Sequence, residues 1–434
     1  LEKLLRQAQK SARAAEVFSL DQVYDILKFE NGRLKNIESS MQSGISLRLI
    51  KDGRLGFAYT KDRGGGHEQL VQNALASLRA GTPAAFSFSR TVQVKDLSTY
   101  DPALESVSCT DIAAESERVI AALSKLTKAQ LNATAARQTS IVRVLNSTGT
   151  DVQTRSTYYH FDIDLIFPST NAAISHLLVD KSYATLSDTA MQKLAWLYEV
   201  SAREITPPRG RMQVMFMPES MYALIWPLQS AMNGRTVYRK ESPVADKLEQ
   251  QIFDPGFSCY DDPLDDRLPG ARSFDDEGTP CRRLEIVENG HLKNFFYDLN
   301  YAAKAKRLPT GHGYRAWDWD PVTTKPGPSL NHFFIKTGDI SFEQLVKAMD
   351  RGIIVFGCLG AHSGNILNGD FSIGLSPGLY VENGEIQGRV KNAMVSGNIY
   401  DLMKNVIGIE NEAHPTHEGV VPAILFESAM VAVQ

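Results

Sequence analysis

Four dipeptides, Asn31-Gly32, Asp52-Gly53, Asn289-Gly290 and Asn383-Gly384, do most to limit what this chain can become. Each offers two successive residues that accept left-handed backbone at low cost, the geometry that closes a two-residue hairpin. Alternating or β-branched sequence flanks all four: KFENGRLKNIESS, SGISLRLIKDGRLGFAYT, CRRLEIVENGHLKNFFYD and GLYVENGEIQGRVKNAMVSG. These stretches predict antiparallel hairpins near both ends of the chain.

Helical patterns fall between them. Leu4, Leu5, Ala8, Ala12 and Ala15 keep near-helical spacing, so residues 1–27 read as helical, with a second helix ending near Lys28. Further helices are expected over 67–79, closed by Gly81 and Pro83, over 111–131, and in DTAMQKLAWLYEVSARE. The order strand, turn, strand, helix recurs with TSIVRVLNSTG and DVQTRSTYYHFDIDLIF. This suggests an N-terminal α+β domain, 1–205, made of two similar halves, 1–100 and 101–205. TPPRGR at 206–211 is stiff and cannot continue a helix, which places a joint there. Residues 206–434 then read as a β-rich domain of antiparallel character, with MQVMFM, SLNHFFIKTGD, GIIVFGC, FSIGL and PAILFESAMVAV as strands. Helical breaks are expected near 218–231, 298–306, 341–350 and 398–406. The fold class is α+β.

With 434 residues the chain can bury more than one substantial core. Its net charge of −4 gives no field for a polyanion, and PPRGR, CRR and KAKR are short and scattered. Nucleic acid is therefore not an expected partner. No apolar run reaches the roughly 18–20 residues of a membrane span. LEKLLRQAQKSARAAE has no apolar leader segment, so no secretory signal is expected in it. Cys109, Cys259, Cys281 and Cys358 stand far apart, without a CxxC pair, which suits free thiols in a reduced, cytoplasmic setting.

Two His-Glu pairs raise metal chemistry. After His67-Glu68 come Gln69, Leu70, Val71, Gln72 and Asn73, so no second imidazole returns on that helix face. His67 and Glu68 read as the polar front of a packed helix, with Glu68 favoured at the positive end of its dipole. In NEAHPTHEGVVP, Pro415 and Gly419 make His414, His417 and Glu418 read as a solvated turn; the alternative is an imidazole pair completed by ligands from another segment. No GxSxG or Cys-His signature surrounds Cys259, Cys281 or Ser372 as a nucleophile.

An ordered set of stretches resembles the TldD/PmbA family, also called modulators of DNA gyrase. In the second half these are DDP at 261–263, SFDDEGTPCRRLEIVENG, TGHGYR, NGDFSIG and YVENGEIQGRVKNAMVSGN; in the first half, NSTGTDVQTRST and ESS…SGISLRLIKDGRLGFAYT. The resemblance implies a strongly curved antiparallel sheet in the C-terminal domain, dimerisation and a cytoplasmic proteolytic system acting on unfolded or extended peptides. It also implies that a TldD-type subunit carries zinc on a helical HExxxH with a Cys near the C-terminus, whereas a TldE/PmbA-type subunit lacks both.

Here the helix after MQVMFM reads PESMYALIWPLQ, where Glu219 remains but no His stands, and the last cysteine is Cys358. The chain thus resembles the TldE/PmbA type, with no catalytic residue and no metal ligand of its own and with zinc expected in a partner. The partner is a TldD-type subunit in a heterodimer, or a second copy of the chain. Asp275, Glu277, Gly278, His312, Gly369, Asp370 and Ser372, in the family stretches, are the expected peptide-cleft residues. Alternatives are a homodimeric, non-catalytic peptide-binding protein or a regulator of DNA gyrase.

Overall fold

The computed structural model describes residues 1–62, 64–168, 170–316 and 320–433. Strands β1 (Ala14–Glu30), β2 (Arg33–Lys51), β3 (Arg54–Thr60), β4 (Gln130–Asn146), β5 (Asp151–Ile166) and β6 (Ala173–Asp180) form one antiparallel sheet, ordered β3-β2-β1-β4-β5-β6. Helices Glu2–Gln9 and His67–Ser77 flank the first three strands; Cys109–Leu126 and Asp188–Val200 flank the last three. The turns are as the dipeptides require: φ is 51° and 72° at Asn31-Gly32, and 50° and 68° at Asp52-Gly53.

The helical reading of residues 1–27 is wrong beyond Gln9. β1 is central, paired with β2 and β4, and Ala15–Leu20 is buried on both faces, so the period-two signal is hidden. Val17, Phe18, Val23, Tyr24 and Ile26 favour a pleated surface over a helix, and sheet pairing decides. The helix expected over 111–131 also ends sooner: Ser108 and Asp111 cap it reciprocally, and β4 has begun by Gln130.

The C-terminal region holds a ten-stranded sheet that curves into a half-barrel. Gly210–Phe216 lies antiparallel to Ile424–Val433 but parallel to Arg351–Val355, and Glu385–Val390 runs parallel to Glu204–Ile205. The sheet is therefore mostly antiparallel rather than wholly so. A long intervening connection, which builds the third sheet, makes the parallel pairing of Gly210–Phe216 with Arg351–Val355 reachable. That six-stranded third sheet includes Cys259–Asp261, Leu284–Glu288 and Phe333–Ile335, and ends in the hairpin His414–Thr416/Gly419–Val421.

Both faces of the half-barrel are covered. Met215, Ile354, Leu379 and Leu425 pack toward Val119 and Leu123 of helix Cys109–Leu126 and Leu194 of helix Asp188–Val200. Val214, Phe216, Ile353 and Phe426 pack toward helix Tyr222–Met232 and the third sheet. This double burial explains why MQVMFM and GIIVF are almost unbroken apolar runs. Among the described residues no helix is long and apolar enough to cross a membrane, and the four cysteines are free thiols.

Candidate functional site

Of the seven expected cleft residues, Asp275, Glu277, Gly278 and His312 are buried in the interior, whereas Asp370 and Ser372 are exposed. Asp275, Asp276 and Glu277 are essentially inaccessible, in a polar interior between the first sheet and the C-terminal region. Glu277 Oε1 accepts from Arg48 Nη1 of β2 at 2.7 Å, and Arg48 also reaches Glu16 of β1 at 2.7 Å. Asp276 accepts from Arg272 Nη2 at 2.6 Å and the Arg315 N–H at 2.8 Å. Asp275 accepts backbone N–H groups of Glu277, Thr279 and Gly313 at 2.8–2.9 Å. Gly278, at φ 68°, leaves only 2.9 Å between the place of a Cβ and Thr150 Cγ2.

His312 is fully buried, its Nε2 3.2 Å from Asp261 Oδ2. Gly369, Asp370 and Ser372 sit at the start of strand Asp370–Leu375; Asp370 accepts from Asn398 Nδ2 at 2.8 Å. In DDEGTP the carboxylates of Asp275, Asp276 and Glu277 all accept hydrogen bonds from the fold, whereas the Arg315 guanidinium of TGHGYR lies over the Phe18 ring with Nε and Nη2 unpartnered among the described residues.

A cavity of about 830 Å³ lies elsewhere, between β5–β6 and the C-terminal region. One wall is the sheet face carrying Asp162, Asp164 and His176. Opposite stand Glu219, in the turn Pro218–Ser220, and Tyr222 and Trp226 of the following helix. Four residues apart, Tyr222 and Trp226 share a helix face, with ring centroids 4.9 Å apart. The Tyr222 hydroxyl donates to the Cys358 carbonyl at 2.7 Å. The segment 356–362 forms the floor, and its Cys358–Leu359 strand is an edge of the half-barrel. His417 and Glu418, at the tip of the 414–421 hairpin, close the rim.

A second hollow of about 350 Å³ adjoins the first, sharing His176, Glu219 and Phe356. It adds Lys193, Glu410, Glu412 and His414.

Burial without full compensation sets the titration here. Asp162 is pushed up to about 6 by burial and by neighbouring Asp164, against the pull of His417. Burial raises Asp164 as well, although Ser175 donates to it at 2.6 Å. His176 is pushed down to about 4 by burial, then by His414 and Lys193; His160, beside Asp162, falls to about 4 for the same first reason. Burial raises Glu219, whose Oε2 is enclosed and has no hydrogen-bond partner among the described residues. His414 is raised: burial opposes its charge, but the bond to Glu410 and the charges of Glu410, Glu412 and Glu219 outweigh it. The cavity can therefore hold a cationic or hydrogen-bond-donating ligand against carboxylates, with aromatic rings for its apolar parts.

Residue patterns hold traces of this site. In HFDIDLI, His160, Asp162 and Asp164 alternate with buried Phe161, Ile163 and Leu165, a polar face on a strand whose other face is core. Glu410, Glu412 and His414 also stand at every second position in the sequence, though across a bend rather than along a strand. Glu219 was visible just ahead of the helix; Tyr222 and Trp226 carried no signal beyond ordinary amphipathicity.

Residues 209–433 match the PmbA/TldA metallopeptidase C-terminal domain, and residues 15–78 match the PmbA/TldA metallopeptidase domain 1. An uncharacterized protein of Methanocaldococcus jannaschii is 23% identical, over 99% of both chains. The Haemophilus influenzae metalloprotease PmbA homolog is 25% identical, over 87% of this chain and 83% of its own. The crystal structure of TldE from Thermococcus kodakarensis superposes with a TM-score of 0.91 at 21% identity, covering 99% of each chain. A Thermotoga maritima structure, titled as a candidate modulator of a DNA gyrase, gives 0.87 at 22% identity, covering 99% of this chain and 100% of its own. The chain belongs to the PmbA/TldD metallopeptidase family.

Proposed function

We propose that this chain is a TldE/PmbA-like subunit of a cytoplasmic zinc metallopeptidase system acting on unfolded or extended peptides, and that it shapes a peptide cleft without activating water on zinc. The observation that carries this reading is the helix at the cleft wall. An open catalytic zinc takes two imidazoles one turn apart on such a helix, and Tyr222–Met232 presents the rings of Tyr222 and Trp226 instead. That helix does not fit the metal. An edge strand at Cys358–Leu359 beside aromatic and acidic walls suits an extended peptide, whose backbone adds to the sheet while its side chains enter the pockets.

The partner is a zinc-bearing TldD-type subunit. Val23, Leu34, Ile37 and Met41, exposed on the outer ends of β1 and β2, give a second subunit an apolar surface to cover. An acid-lined cavity supports a peptide over a nucleic-acid ligand.

The test is a peptidase assay on an unfolded protein substrate with this chain alone, a TldD-type relative alone, and the two mixed. Cleavage is expected only when the zinc-bearing subunit is present, enhanced by this chain and reduced by Trp226→Ala in it. Proteolysis by this chain alone rules the reading out. Self-association with peptide binding, unaffected by the relative, selects the homodimeric peptide-binding protein instead.

A further inference from the structure

The second hollow concentrates carboxylates around one imidazole. Glu410, Glu412 and His414 each offer one ligating atom, and these atoms all lie within 4.8 Å of one another. A bend at Asn411–Glu412, between the bridge residue Glu410 and the strand that starts at His414, brings the three donors together. Two of the three are held by backbone pairing. The Glu410 N–H donates to the Ala423 carbonyl, its own carbonyl accepts from Gly338 and its Oε2 accepts from the Ala423 N–H at 3.1 Å, while His414 pairs with Val421 in the terminal hairpin.

The His414 Nε2 to Glu410 Oε2 separation is 3.4 Å. That is the edge of a tetrahedron whose centre lies about 2.0–2.1 Å from each corner, the length of zinc bonds to imidazole nitrogen and carboxylate oxygen. An independent feature points the same way. The orphaned, enclosed Oε2 of Glu219 belongs to a side chain lining the same hollow, on the opposite wall. Three carboxylates, Glu219, Glu410 and Glu412, line this hollow beside His414 and Lys193.

We infer that Glu410, Glu412 and His414 bind a borderline divalent cation, Zn²⁺ or a similar first-row ion, with Glu219 facing its open side. One imidazole with two carboxylates suits such an ion better than Mg²⁺ or Ca²⁺, which take all-oxygen shells. This site is separate from the helix Tyr222–Met232, uses a different donor set, and replaces the expectation that the chain holds no metal ligand. It also turns the 414–418 hairpin from a solvated turn into a clamp: an ion at His414 fixes the rim formed by His417 and Glu418 over the larger cavity.

The test is titration of the purified full chain with Zn²⁺ by calorimetry, and with Co²⁺ by visible d–d absorption, beside the variants His414→Ala and Glu412→Gln. Glu412 is exposed, so Glu412→Gln alters a donor without disturbing the core. One ion per chain is expected, with affinity falling at least about 100-fold in His414→Ala and about tenfold in Glu412→Gln. Equal metal-free melting temperatures would show that both variants fold. No saturable binding, or binding that both folded variants retain at wild-type affinity, overturns the assignment. Neither result bears on the peptidase assay with a partner, so this site and the proposed function fail independently.

Discussion

Two acidic clusters, one around Glu277 and one around Glu219, show what partnering does to a buried carboxylate. Around Glu277 both oxygens are taken, Oε1 by Arg48 and Oε2 by the Leu299 N–H at 2.7 Å. At Glu219 one oxygen is enclosed with no donor among the described residues. A charge whose lone pairs are all matched is a fastener, here joining β1 and β2 to the C-terminal region. A charge left short of donors raises the energy of the empty site and lowers that of the occupied one. The family-like stretches hold the first cluster, while the proposed ligand sites lie at the second.

The comparison breaks most sharply at Glu277. Glu277→Ala leaves Arg48 buried with only Glu16, and we expect a loss of about 3–5 kcal/mol in urea unfolding. A loss below about 1 kcal/mol would mean that the interior is hydrated and the cluster no fastener. Gly278→Ala forces a side chain into left-handed backbone and against Thr150, with an expected cost of about 1–3 kcal/mol by the same measurement. Next in size is Tyr222→Phe, which removes the bond to the Cys358 carbonyl. It should cost about 0.5–1.5 kcal/mol and speed amide exchange along 356–362, leaving exchange in β1 unchanged.

The smallest effect lies on the cleft side and is read as a slope. Asp162 has a folded-state pKa of about 6 against an ordinary 3.8, so the native state holds its proton more tightly than the unfolded chain. The stability this contributes is fully present below pH 3.8 and disappears as pH rises through about 6. Asp162→Asn should therefore flatten the fall in stability across that window, relative to wild type, and cost nothing at neutral pH. An unchanged slope would place Asp162 in a solvated environment and erase its contrast with Glu277.

Much of the fold was legible from local chemistry. Asn-Gly and Asp-Gly dipeptides fixed the hairpins because left-handed backbone is a property of those residues themselves. Helix His67–Ser77 was readable from its own apolar stripe, of which Leu70 and Ala74 are buried. β1 was not readable. Its apolar run is buried on two faces, and that follows from its neighbours β2 and β4, which no local pattern reveals.

The candidate site divides the same way. The sequence by itself determined that the helix after Gly210–Phe216 carries no imidazole and that Glu219 precedes it. It also placed carboxylates and histidines at alternate positions in HFDIDLI and ENEAH. Only the tertiary structure decided that β5–β6, the turn at Glu219 and the 414–421 hairpin enclose one pair of hollows, while DDEGT is sealed inside. The physical reason is that a carboxylate has the same intrinsic chemistry everywhere. Whether it fastens the fold or receives a ligand depends on how many donors distant segments bring to it, and those meet only once the chain has folded.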